Sequence, residues 1–343
     1  MTVGVQDEGM SLTAQETSQS APDYRSAIAD ELRQVEETLV SELESGVEMV
    51  RAVTSYILEA GGKRTRPALV ILSARSCSPE SDGHMIRVAA AAELIHMATL
   101  MHDDVIDDAE RRRGRIAANR SWGNQVSVLT GDYMLARAFA ILSRDGDVPV
   151  MRAISKATIA MAEGEIRQIE LLGDIAGLAD EYLGIIAGKT AAFMSTCCRS
   201  GAICSGAPRE IEDALAEYGF NVGLAFQITD DLLDLIGDPA LTGKPIGGDI
   251  REGKVTLPVI LALERVTPED RTVIERILSS GSTTPADLEF VRRAVEETGS
   301  IEATRDSASE YIARALENIR PLPPSPYRDS LALLAEGILS RRK

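Results

Sequence analysis

Two groups of aspartates in this chain share one design. Asp103, Asp104 and Asp107 form the first, Asp230, Asp231 and Asp234 the second, and both read D-D-x-x-D. Residues three and four apart share a helix face, so each group turns carboxylates to one side of a helix, where like charges repel and weaken it. A cation of high charge removes that conflict. All-oxygen donors of this kind suit Mg²⁺, which takes a few carboxylates, keeps waters and binds substrate phosphates. Two such groups read as a cavity in which several Mg²⁺ ions clamp a diphosphate.

Basic residues accompany the aspartates. Arg111, Arg112 and Arg113 precede Gly114 just after the first group, and a guanidinium fork bonds phosphate oxygens in pairs. Gly61-Gly62-Lys63-Arg64-Thr65-Arg66-Pro67 closes one helix and opens another, where glycines allow close backbone approach and a helix N-terminus favours anions. His96 lies two turns before Asp103 on the same face. Lys189-Thr190 interrupts an otherwise apolar helix, and Gln227 immediately precedes the second group. A loop with Gly243-Lys244-Pro245, Gly248-Asp249 and Gly253-Lys254 follows. Singly, these are a basic turn, a satisfied core histidine or a solvated helix end; their weight comes from standing together.

The elements that must carry them read as helices. Aromatics are only 4% of 343 residues and 44% are hydrophobic, with Ala, Leu, Ile and Met plentiful, a mix that favours helix over strand. Helices are expected over 84–109, 119–142, 150–172, 179–206, 209–235 and about 327–341. Strand alternation is absent, and 238–253 is a loop. Residues 1–22 hold little to bury and are expected to be disordered; 23–343 is expected to form one domain, because both aspartate groups must face one cavity. The fold class is therefore all-α, a single large helical bundle around a central cavity.

A net charge of -17 and a pI near 4.7 leave no basic face for nucleic acid. Cys77, Cys197, Cys198 and Cys204 include no C-x-x-C pair and read as small buried residues in a reducing cytosol. No leader-like run opens the chain, and no uncharged stretch reaches about 18 residues. The expectation is a cytoplasmic protein without a transmembrane segment.

In this order, the motifs resemble those of the trans-polyprenyl diphosphate synthases, over roughly residues 24 to 341. That family carries G-G-K-R-x-R-P, then D-D-x-x-D with R-R-G, then a second D-D-x-x-D with G-K-x-x-G-x-D, then G-K-x-T-L-P; all are present. The resemblance implies the isoprenoid synthase fold, a homodimer, and head-to-tail (1′–4) condensation of isopentenyl diphosphate with an allylic diphosphate. The allylic diphosphate ionises, the double bond of isopentenyl diphosphate attacks the cation, and a proton is lost, with released pyrophosphate as the acceptor. It further implies Asp103, Asp107 and Asp230 as leading Mg²⁺ ligands, with Asp104, Asp231 and Asp234 assisting. Arg112, Lys189, Thr190, Gln227 and Lys244 are implied to hold the allylic diphosphate or stabilise the cation. Lys63, Arg66, His96 and Arg113 are implied for isopentenyl diphosphate, with Lys254 as a further substrate-binding lysine. Peripheral membrane contact would serve product release.

Ala98 and Thr99, five and four residues before Asp103, point down the tunnel into which the product tail grows. Short-chain members often place aromatic residues there, so a product longer than C20, between C30 and C50, is expected. The Tyr133–Met134 region is the expected source of deeper determinants. A terpenoid cyclase would replace the second D-D-x-x-D by N/D-x-x-S/T-x-x-x-E, which 230–238 does not match. A non-catalytic partner subunit would usually lose aspartates from one motif, and both motifs are intact.

Overall fold

A computed structural model describes residues 23–80, 83–237, 246–280 and 282–341. The expectation of disorder over 1–22 falls outside these residues, as does Lys244. The described chain is helical almost throughout: α1 (Ala29–Glu42), α2 (Glu48–Glu59), α3 (Thr65–Cys77), α4 (His84–Ile106), α5 (Ala118–Trp122), α6 (Asn124–Asp145), α7 (Val148–Glu170) and α8 (Ile175–Ile186). A π turn over Ala187–Ala191 leads directly into α9 (Ala192–Cys204), then α10 (Arg209–Ile236), α11 (Gly248–Arg251), α12 (Leu257–Leu263), α13 (Pro268–Ser279), α14 (Pro285–Glu297), α15 (Ser300–Asn318) and α16 (Pro326–Leu339).

The bundle is organised around helices that are apolar on every side, as an enclosed helix must be. Ala68 to Leu72 of α3 and Val88 to Ala92 of α4 are all buried. α3 packs on α4 and α9, α9 on α10 and α7, α10 on α15, and α4 along α6. A second, smaller core built on Leu235, Ile250, Val259, Ile274 and Val291 joins the end of α10 to α11, α12, α13 and α14, and so holds Gly248–Arg251 there.

Local chemistry sets many helix starts. Asp147 accepts from the Val150 amide, Asp174 from Gly177, Thr267 from Asp270, Thr284 from Asp287 and Ser325 from Arg328. These caps satisfy amides that the helix leaves unpaired. Pro268, Pro285 and Pro326 stand at first helical positions, where the missing N–H costs nothing.

Two expectations about elements need correction. The helix foreseen over 119–142 is two helices, broken at Gly123, whose φ of 85 is left-handed. There is also a short antiparallel ladder, with Arg111 opposite Ile116 and Arg112 opposite Arg115. Arg113 and Gly114 at its tip have φ of 51 and 77, the backbone of a two-residue hairpin turn. Four residues are too few to show alternation, which is why the pattern is silent there. α6 is long and apolar enough over Asn124–Arg144 to cross a membrane by length and composition, but it packs along α4 and carries Arg137, held by Glu42 at 2.6 Å.

Candidate active site

The two aspartate groups meet at one cavity of about 790 Å³, walled by α4, α6, α7, the π turn, α9 and α10. Asp103 from the last turn of α4, Asp107 at its C-terminal end and Asp230 of α10 all line it. Burial pushes the Asp103 carboxyl up to about 6; Glu165 and Asp107 add to the rise, while Lys189 and Arg112 oppose it. Negative charge is thus crowded at this end. Among the described residues, no three of these carboxylates bring ligand atoms within 4.8 Å of one another; the group that does is His84, Asp147 and Cys204, none of which lines the cavity. Carboxylates spread around a wall suit ions that complete their shells with water and phosphate oxygens.

Asp104, Asp231 and Asp234 face elsewhere. Neighbouring residues on a helix point in different directions, so Asp104 and Asp231 cannot follow Asp103 and Asp230 into the cavity. Asp104 is buried and accepts from Arg112 Nε at 2.7 Å, with Nη2 at 2.5 Å. It aims that arginine, which does line the cavity. Asp231 is buried too, accepting from Tyr182 Oη at 2.7 Å and Gln227 Nε2 at 2.8 Å. Burial raises its carboxyl, against the pull of those two hydrogen bonds. Asp234 accepts from the amides of Gly248 and Asp249, at 3.2 and 3.1 Å, and so ties the returning loop to α10.

The centre of the cavity is set by the π turn. An extra residue inserted in a helix re-aims the side chains around it, and here it carries Lys189 and Thr190 to the wall. Lys189 Nζ lies 2.5 Å from Glu165 and 2.6 Å from Gln168 Oε1. Thr190 donates to Gln227 Oε1 at 2.8 Å, extending the chain through Gln227 to Asp231.

The basic end gathers Arg66, His96, Arg112 and Arg113 on the same cavity. Arg66 is enclosed, its guanidinium 6.0 Å over the Phe193 ring, and its Nε makes no hydrogen bond among the described residues. Burial lowers its pKa, and Glu93 is the leading charge acting the other way. His96 is held well below its ordinary value by burial and then by Arg66 and Arg113, so its imidazole is neutral. Arg113 passes so close to Gly62 that a Cβ there would sit 2.9 Å from Nη1. Lys63 shares the turn with Gly62 but is not part of the cavity wall; its carbonyl accepts from Tyr24 Oη at 3.5 Å. Lys254 lies outside the wall as well, 3.6 Å from Asp107 and 2.5 Å from Glu252. Burial works against its charge, yet Asp107 and Glu252 hold its ammonium above the usual range.

Deeper in, the wall turns apolar. Ala98 and Thr99 line it with Leu135 of α6 and Thr158 and Met161 of α7. Tyr133 and Met134 do not: Met134 is fully buried in the core, and Tyr133 Oη donates to the Glu44 carbonyl at 3.1 Å. Leu135, one position on, is the residue that reaches the tunnel.

The polyprenyl synthetase family model matches residues 47–295. The chain belongs to that family. It is 36% identical over 313 residues to the octaprenyl diphosphate synthase of Escherichia coli strain K12, covering 91% of this chain and 96% of that one. Its fold matches a polyprenyl synthase from Caulobacter crescentus CB15, crystallised with calcium and isoprenyl diphosphate, at a TM-score of 0.89 and 35% identity, over 93% and 97% of the two chains. It also matches a geranylgeranyl pyrophosphate synthetase from Pyrococcus horikoshii Ot3 at 0.84 and 33%, over 93% and 98%. The protein is a prenyl diphosphate synthase, an enzyme that transfers prenyl groups.

Several residues at the site of this polyprenyl synthetase carried no sequence signal. Glu165 and Gln168 hold Lys189 from a helix of mixed polarity. Arg341 Nη1 lies 2.7 Å from Asp230 and its guanidinium stacks 4.3 Å over Phe226, at the end of the helix expected over 327–341. Arg64 and Glu93, the buried ion pair beside Arg66, were hidden in one case by a louder motif and in the other by an apolar helix.

Proposed function

We propose that this synthase condenses isopentenyl diphosphate head-to-tail with an allylic diphosphate, using several Mg²⁺ ions, and builds an all-trans product longer than C20. The observation that supports it most directly is the order of chemistry along one cavity. Carboxylates and Lys189 stand at one side, guanidiniums at another, and apolar side chains line the rest. The donor set fits a hard divalent cation, because Asp103 is pushed up to about 6 first by burial and then by neighbouring carboxylates, an excess of negative charge that such a cation relieves. Asp103, Asp107 and Asp230 would hold it. When bound, it neutralises the charge that develops on a departing diphosphate.

The protein's own groups account for the rest. Arg112, aimed by Asp104, and Lys189 would meet the oxygens of the allylic diphosphate. Arg66 and Arg113 would take isopentenyl diphosphate, whose charge restores the balance that burial disturbs. Neutral His96 offers a hydrogen bond without adding repulsion. Gln227 and Thr190, linked by a hydrogen bond, present fixed dipoles near the reacting carbon rather than mobile water. The dry walls protect a carbocation from hydrolysis. The motif assigns Lys244, which lies outside the described residues, to the allylic diphosphate as well.

Residues 23–343 would act as one domain, and the assembly would be a homodimer in the cytoplasm, touching membrane only to release product. Exposed Leu129 of α6 and Ile159 of α7 support an apolar partner face. The test is release of inorganic pyrophosphate, followed by a phosphatase-coupled assay. Release should require both substrates and Mg²⁺ and stop with excess chelator. Release from the allylic substrate alone, at the same rate, would reject condensation.

A further inference from the structure

The basic end of the cavity gathers positive charge on Arg66 and on the more exposed Arg113. Arg66 comes to it from the turn after α2 and Arg113 from the hairpin tip, while Arg64 of the same turn is buried outside the cavity wall. An enclosed guanidinium is unstable unless an opposite charge stands near it. Glu93 of α4, which is only 2% exposed, supplies one from behind the wall. Its Oε1 accepts from Arg64 Nη1 at 2.8 Å. For both Arg66 and Arg113, burial is the leading influence and Glu93 is the leading charge that counters it.

Arg64 makes the second half of the argument. It is a non-glycine residue with φ 50, a left-handed backbone that costs about 1–2 kcal/mol and persists only where the surroundings impose it. It caps α3 without a side-chain hydrogen bond of its own to the helix, so the cap does not explain the conformation. Its guanidinium instead spans two helices, bonding Glu36 of α1 through Nε and Nη2 and Glu93 of α4 through Nη1. The clasp pins the Gly61–Arg66 turn against α4. That turn also holds Gly62, the surface on which the Arg113 guanidinium lies.

We propose that Glu93 is the positioning residue of the isopentenyl diphosphate subsite: through Arg64 it fixes the 61–66 turn, which carries Arg66 and, at Gly62, backs the Arg113 guanidinium, for an incoming diphosphate. Glu93 does not line the cavity and touches no substrate. The inference rests on the subsite reading given above, in which Arg66 and Arg113 take isopentenyl diphosphate.

The competing effects have opposite signs, which makes the test decisive. If Glu93 only dilutes positive potential, removing its charge tightens diphosphate binding. If it positions the turn, removing it weakens that binding despite the added potential. Steady-state kinetics of Glu93→Gln, with each substrate varied while the other saturates, separates the two. A hydrogen bond to a charged group is worth about 1.5–3 kcal/mol, so KM for isopentenyl diphosphate should rise about tenfold or more. KM for the allylic substrate and kcat should stay within about twofold, the signature of lost ground-state binding. An unchanged or lowered KM for isopentenyl diphosphate overturns the proposal, as does an equal rise in both KM values.

Glu36→Gln opens the same clasp from its half-exposed side and covers the case in which Glu93→Gln does not fold. It should raise the same KM, by less, and no rise overturns the proposal. Arg66→Ala separates the two levels of the argument. If it leaves KM for isopentenyl diphosphate unchanged, the subsite reading fails and takes the proposal with it. If it raises that KM while Glu93→Gln does not, only the role of Glu93 falls.

Discussion

Replacing Ala98 by phenylalanine should shorten the product to C15 or below, and the length follows from helix geometry. Ala98 lies five residues below Asp103 on α4, an axial drop of about 7.5 Å at 1.5 Å per residue. An extended prenyl chain advances about 5 Å per five-carbon unit, from four carbon–carbon bonds near 1.5 Å each. A ring at position 98 therefore halts the tail about two units past the reacting carbon. In the natural chain Ala98 sets no such stop, and the tail can pass it toward Leu135 and Met161. Ala98 is only 1% exposed, so the ring must displace neighbours such as Leu135 and Met161, an overpacking cost of about 1–3 kcal/mol that the fold can carry. The assay is chromatography and mass of dephosphorylated products from labelled isopentenyl diphosphate. A product distribution identical to that of the natural enzyme, from a folded variant, would refute the reasoning and move the floor to another wall residue.

Asp104→Asn should lower the melting temperature and weaken allylic diphosphate binding together, because breaking a buried ion pair costs about 3 kcal/mol, less what the partly exposed Arg112 recovers from solvent; calorimetry and the allylic KM check it, and a change in neither contradicts the pairing. None of the four cysteines is in a disulfide. Burial pushes the Cys197 thiol up to about 12 and Cys198 higher still, so at pH 8 neither forms thiolate in the native state. A thiol reagent should label only Cys77 and Cys204 before denaturation and all four after it, as counted by mass spectrometry; rapid labelling of Cys197 in the folded protein would show that burial to be wrong.

The helical class and the cavity's acidic side could be read in the chain because they rest on repetition. Apolar residues recur over many turns in α4 and α10, and two D-D-x-x-D groups repeat one spacing. Direction was harder to read. Adjacent aspartates look equivalent in sequence, yet a helix turns Asp104 and Asp231 away from the cavity and makes them supports. The supports themselves were mostly silent, since Glu93, Glu165 and Tyr182 are single polar residues whose partners come from distant elements. The hairpin of Arg111 to Ile116 was missed because it is set by two left-handed residues rather than by a pattern. In the Tyr133–Met134 region it is the next residue, Leu135, that lines the cavity, because one residue on a helix is a rotation of about 100°.

The measurement closest to the central claim is the size of the product made from labelled isopentenyl diphosphate with C5, C10, C15 and C20 allylic primers and Mg²⁺. The account requires a ladder of intermediates ending at one length beyond C20, and no incorporation when the metal is chelated. A ladder ending at C15 or C20 would contradict the open tunnel beneath Ala98 and Thr99. No elongation of any primer by the folded protein would contradict the condensation itself.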